Sequence, residues 1–243
     1  PLWSRGLGDV YKRQALDRLT WAQPYLGHIL SYLRIRANNL VSTMCVSRTE
    51  NGWVQLDWNP TWVAGLTVEQ TMAVLQHEAN HIAFGHLGTR REMYPDHRAL
   101  TIAQETSVNQ WCDRDKLPGR PILLEDWPEL PHSSSWEERY QLLASMDLKN
   151  DERAGQIDWD GMRNSHPGKV MDADELERIF RDAVEDMGAT EALKGIPGPQ
   201  QAQMAKALAK PGTQACNLEE MAHLAGGRSQ IPWHRRLRRL TGK

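Results

Sequence analysis

The feature that most constrains this chain is His77-Glu78-Ala79-Asn80-His81, an H-E-x-x-H pentad embedded among Val74, Leu75, Ile82, Ala83 and Phe84. Apolar residues at this spacing make a helix with a buried face, and a His-Glu-His group buried along with it needs a partner that offsets its desolvation. Helical residues four apart differ by about 40° in azimuth and about 6 Å in rise, so His77 and His81 can present nitrogens to one ion. Glu78 lies about 100° round from His77, where it reaches water beside such an ion without ligating it. The spacing fits zinc, which lowers the pKa of water toward about 7 while a neighbouring carboxylate takes up a proton. Composition alone would place the pentad in about 2% of such chains.

A catalytic zinc needs a third protein ligand and one open position. His86 follows His81 by five residues, about 140° further round on a continuing helix, and so faces away unless Gly85 breaks the helix. Glu105 is the stronger candidate, 24 residues after His81 by their numbering and midway along a second helix expected over Arg98–Cys112. Asn109 comes one turn later, placed to hydrogen-bond a ligand and hold its orientation. Cys112, two turns beyond Glu105, is about 10 Å away along the axis and reads as core. The donor that would stabilise an oxyanion is not singled out, with His132, Tyr140, His166 and His223 all available.

Around this motif the patterning predicts an α+β fold, mostly helical, with a small mixed sheet or hairpin packed on the H-E-x-x-H helix. Helical spacing runs from Ala15 to about Asn38, interrupted by Pro24. Thr43–Arg48 and Trp53–Trp58 are rich in β-branched and aromatic residues and flank Asn51-Gly52, which suits a tight hairpin turn. Asn59-Pro60 ends the hairpin, and Thr67 with Gln70 forms a capping box for a helix over Val68–His86. Leu117–Pro131, with its prolines, reads as an extended surface loop. Helices are expected again at 136–146, 173–187, 200–209, 218–225 and 233–240.

Four segments follow. Residues 1–14 begin at Pro1, lack periodicity and read as non-native, because DVYKRQ resembles the translated end of a transposase recognition sequence used in preparing sequencing libraries. Residues 15–146 form the core, 147–170 a polar loop or linker, and 171–243 a helical C-terminal region. The net charge of −2 gives no field that would gather nucleic acid or an anionic membrane over the whole surface. The arginines between Arg228 and Lys243 fit the solvated face of an amphipathic helix. No apolar run approaches a membrane span of about 18 residues. Three cysteines, an odd number without close spacing, argue against a disulfide scaffold and for a reducing, cytoplasmic location.

HEANHIAFGH, then AQETSVN at 103–109, then LPGRPILLEDW, resembles the predicted metallopeptidase domain that precedes a VWA-like domain in bacterial and phage proteins, a branch of the zincins. LDWNPTWV at 56–63 resembles that family's strand and Asn-Pro turn before the active-site helix. The likeness is good over about residues 40–145 and looser in the C-terminal third. Where the family shows Asp in its A-x-D-x-x-I-N segment, this chain has Glu105, with Val108 for Ile, which keeps the carboxylate and brings the site nearer the glutamate-type zincins.

The resemblance implies one zinc at His77, His81 and Glu105, Glu78 as general base, a peptide or protein substrate, and a VWA-like domain or partner after Lys243. A hairpin edge strand could hold an extended peptide beside the metal. The competing reading is a non-catalytic zinc-containing assembly module that acts with such a partner. Glu78 argues for the enzyme, since a purely structural zinc site has no use for that carboxylate.

Overall fold

The chain enters through two helices, α1 (Leu2–Ala22) and α2 (Pro24–Ser31), separated where Pro24 can neither donate to nor fit within a continuous helix. The computed structural model describes residues 2–49, 54–89, 91–159, 173–208, 217–219 and 221–222. Helix α1 starts well before Ala15, where the sequence pattern first becomes periodic. Lys12 lies 4.4 Å over the Trp58 ring, and Ala15 and Leu19 are fully buried.

A three-stranded mixed sheet follows, built from β1 (Arg34–Ala37), β2 (Met44–Arg48) and β3 (Val54–Trp58) in the order β1-β3-β2. β2 and β3 pair antiparallel from Met44 opposite Trp58 to Arg48 opposite Val54, as the hairpin reading requires. The Asn51-Gly52 turn lies outside the described residues. The expected helix does not continue to Asn38, because Arg34–Ala37 is instead a strand parallel to β3. Every residue of β3 is buried, and a buried central strand needs backbone partners on both edges. Arg36 adds a side-chain reason, donating to the buried Asp57 carboxylate across the pair at 2.8 Å.

After β3, Asn59 accepts from the N–H groups of Thr61 and Trp62 and so opens a single helical turn, α3 (Pro60–Val63). Helix α4 (Val68–Ala83) begins with the expected capping box, Thr67 accepting from Gln70 N–H while the Gln70 side chain accepts from Thr67 N–H. It ends at Ala83, earlier than His86, and two residues on Gly85 takes a φ of +72°, which costs an L side chain about 1–2 kcal/mol. Helix α5 (His97–Asn109) is capped by Asp96, which accepts from Arg98 and Ala99 N–H at 3.0 Å each. It packs on α4, joining the two motif-bearing segments.

Leu117–Pro131 is more than a surface loop. It contains a turn of 3₁₀ helix, and Ile122, Leu124, Trp127 and Leu130 are buried with α5 and α6 (Trp136–Ala144) in a second apolar cluster. Its fixed point is Arg139, wholly buried, which donates to Ser134 and Thr106 hydroxyls, the Gln110 side chain and the carbonyls of Pro131 and His132. Ala154 of the short α7 (Glu152–Gly155) lies in the same cluster, and residues 160–172 lie outside the described ones.

The C-terminal helices α8 (Ala173–Met187), α9 (Ala189–Ala192) and α10 (Gly198–Leu208) share the main core with α1, α2, α4 and the sheet. Tyr25 meets Phe180 edge-on with centroids 5.3 Å apart, and Ile179, Ala183 and Met204 are fully buried or nearly so. Each large side chain so buried contributes about 1.5–3 kcal/mol of transfer free energy. Residues 218–219 and 221–222 are helical, and the expected helix at 233–240 falls outside the described residues. No helix among the described residues is long and apolar enough to cross a membrane. Cys45 and Cys112 are free thiols, the latter bonded to Val108 O and Asn80.

Candidate metal centre

Helix α4 brings His77 and His81 onto one face, their rings 4.6 Å apart at 72° and their Nε2 atoms 3.1 Å apart. Helix α5 brings Glu105 to the same point, one carboxylate oxygen 3.4 Å from His81 Nε2 and the other 3.9 Å from His77 Nε2. His81 and Glu105 are buried, whereas His77 is partly open to a cavity. The ligand-capable atoms of the three residues all lie within 4.8 Å of one another. Ligands at about 2.0–2.1 Å from a tetrahedral ion stand about 3.4 Å apart, within the 3.1–3.9 Å range of these separations.

The hydrogen-bond network decides which nitrogens carry protons. His77 Nδ1 lies 2.7 Å from Asn109 Oδ1, an atom that can only accept, while Asn109 Nδ2 donates to Ile122 O at 2.9 Å. His77 is therefore protonated at Nδ1. On the other ring, Ser107 donates its hydroxyl to Gln104 O at 2.8 Å, so its oxygen accepts from His86 Nε2–H at 3.3 Å. His86 Nδ1 then carries a lone pair and accepts from His81 Nδ1–H at 2.9 Å. Both chains leave lone pairs on the Nε2 atoms, aimed with Glu105 at a shared point that a cation relieves.

The role of His86 eludes helical arithmetic. Continuing α4 turns it away, but the positive φ at Gly85 folds the chain back and seats His86 buried against His81, as that ring's partner rather than in the metal group. A glycine immediately before a histidine at the helix end is the only sequence signal.

Glu78 is also buried, accepting at Oε2 from Val46 N–H of β2 at 3.0 Å. Burial pushes its carboxyl up to about 7, against the opposing pull of His77 and the Val46 N–H, and the Glu105 charge adds to the rise. A strand amide holding this carboxylate is invisible in the sequence, because it depends on which edge of β2 faces α4.

His77, Glu78, Glu105 and Asn109 line one side of a cavity of about 370 Å³. Ser42–Met44, Trp62, Val74, Leu117, Pro118, Arg120, Pro121 and Asp158 complete its lining. His132 and Tyr140 are not among these lining residues. His132 borders a separate cavity with Gln110 and Leu124, and the Tyr140 hydroxyl accepts from Asp96 N–H within the second cluster. His166 and His223 lie outside the described residues.

A mostly helical α+β chain whose His-His-Glu group, two members buried, opens on a cavity through His77 and Glu105 has the build of a metal-dependent hydrolase. The chain belongs to the family described as "Putative metallopeptidase domain", whose model matches residues 10–243. A metallopeptidase domain implies a metal ion and a peptide or protein substrate. No curated protein and no solved structure matches the chain.

Proposed function

We propose that this chain is a zinc-dependent metallopeptidase in which His77, His81 and Glu105 hold one zinc and Glu78 is the general base. The observation that carries the reading is the convergence of two Nε2 lone pairs and a buried carboxylate, with a second buried carboxylate beside them in the same cavity. Two imidazoles and one carboxylate leave a fourth position open. When bound, zinc supplies a Lewis acid that polarises the scissile carbonyl and makes water easier to deprotonate.

The chain's own residues do the remainder. Glu78, fixed at Oε2 by Val46, offers its other oxygen to water in the cavity and afterwards delivers the proton to the departing amine. A carboxyl held near neutrality suits both transfers. Asn109 and His86 hold the imidazoles so that Nε2 points inward. The outer edge of β2 has no strand partner among the described residues and reaches the cavity at Met44, next to Ser42 and Thr43, so an extended peptide can lie beside the strand's start, before Val46, whose N–H is given to Glu78.

Metal content by mass spectrometry of the purified chain, His81→Ala and Glu105→Ala tests the site, and cleavage of casein peptides with and without Glu78→Gln tests the reaction. About one zinc per chain, lost in both alanine variants, with cleavage abolished by Glu78→Gln, is the expected result. Zinc without cleavage would favour the assembly-module reading, and absence of zinc would refute the site.

A further inference from the structure

The cavity has one side chain whose placement the chemistry above does not use, Arg120. Among the described lining residues it alone carries a permanent positive charge, and it is exposed, with no hydrogen-bond or ion-pair partner among the described residues. The other charges there are negative: Glu78 and Glu105 at the metal group, and the exposed Asp158.

The backbone under Arg120 is well fixed. Pro118 and Gly119, the latter at φ +78°, give the sequence Leu117-Pro118-Gly119-Arg120 the residues of a tight turn, and Pro121 confines Arg120 to extended geometry. Two residues on, Ile122 is buried and its carbonyl accepts from Asn109 Nδ2 at 2.9 Å. The same amide orients His77 through Oδ1. One asparagine thus ties the arginine-bearing loop and a metal-facing imidazole into a single frame, while the guanidinium keeps its freedom to meet a ligand.

Resting on the peptidase reading, we infer that Arg120 recognises a carboxylate of the substrate near the scissile bond, either an acidic side chain or a free carboxy terminus. A planar guanidinium matches a carboxylate with two parallel hydrogen bonds. Met44, Trp62 and Val74 supply an apolar wall in the same cavity for a neighbouring side chain.

The test measures binding of hexapeptide mixtures to the zinc-loaded Glu78→Gln protein, each position carrying in turn Glu, Gln or Lys, with free or amidated carboxy termini. A parallel series maps cleavage by the Glu78-containing chain. The expected result is about a tenfold preference for Glu over Gln, or for a free over an amidated terminus, at one position. It should fall within twofold in Arg120→Gln, survive in part in Arg120→Lys, and turn toward Lys in Arg120→Glu. The free-terminus and internal-Glu arms identify the source of the carboxylate. A preference that persists in Arg120→Gln would assign the carboxylate to the metal and overturn the inference, as would its absence from the unsubstituted site. Carboxylate-dependent binding without any cleavage would uphold Arg120 and refute the peptidase reading, whereas cleavage indifferent to charge would do the reverse. No binding of any mixture would refute both.

Discussion

Replacing His86 by alanine removes the acceptor that lies 2.9 Å from His81 Nδ1. Both rings are buried, so the His81 N–H loses its partner away from water, at a cost of about 1–3 kcal/mol. The imidazole also loses the bond that sets its tautomer, and partners of this type typically account for 10–100-fold in metal affinity. That range corresponds to about 1.4–2.7 kcal/mol, in agreement with the hydrogen-bond figure. Competition with a chromogenic zinc chelator should therefore show Kd raised 10–100-fold in His86→Ala. His86→Asn, whose Oδ1 can stand near the place of Nδ1, should recover most of the affinity. Thermal unfolding of both variants without metal separates lost orientation from lost packing against Trp136, whose ring centroid is 5.6 Å from that of His86. Affinity within twofold of the parent in His86→Ala would refute the relay from Ser107 through His86 to His81.

Two further outcomes follow from the same geometry. Removing metal with a chelator should lower the midpoint of thermal unfolding, because an ion at 1,000 times its Kd contributes about 4 kcal/mol and each kcal/mol moves a domain of this size by about 2–4 °C. Calorimetry with and without added zinc reads this directly, and an unchanged midpoint would count against a site spanning α4 and α5. Arg139→Met should destabilise the chain by about 2–4 kcal/mol in urea unfolding, since Thr106, Gln110 and two carbonyls lose a buried donor. A loss under 1 kcal/mol would show that these acceptors find other partners.

Much of the candidate site was legible in one dimension because its spacing is local. His77, Glu78 and His81 follow from helical periodicity, and Glu105 and Asn109 from a second capped helix long enough to return beside the first. The capping box at Thr67 and Gln70 and the hairpin strands were readable for the same reason, each depending on neighbours within a few residues. Long-range pairing was not. Arg34–Ala37 continues a helical pattern until β3, some twenty residues later, needs a partner for its second edge. The Leu117–Pro131 segment looks like a surface loop until Ile122, Leu124 and Trp127 find the far side of α5.

By itself, then, the sequence determined the chemistry available: two imidazoles one helical turn apart, a carboxylate one residue from the first of them, and a second carboxylate on the next helix. Only the tertiary structure decided how that chemistry is aimed. The turn at Gly85 seats His86 behind His81, the outer edge of β2 offers Val46 N–H to Glu78, and Asn109 holds both His77 and the loop that carries Arg120. The bond from Asn109 to His77 follows helical spacing, but the seat of His86, the Val46 amide and the Ile122 carbonyl depend on a chain reversal or a backbone group, and neither leaves a periodic trace in the order of side chains.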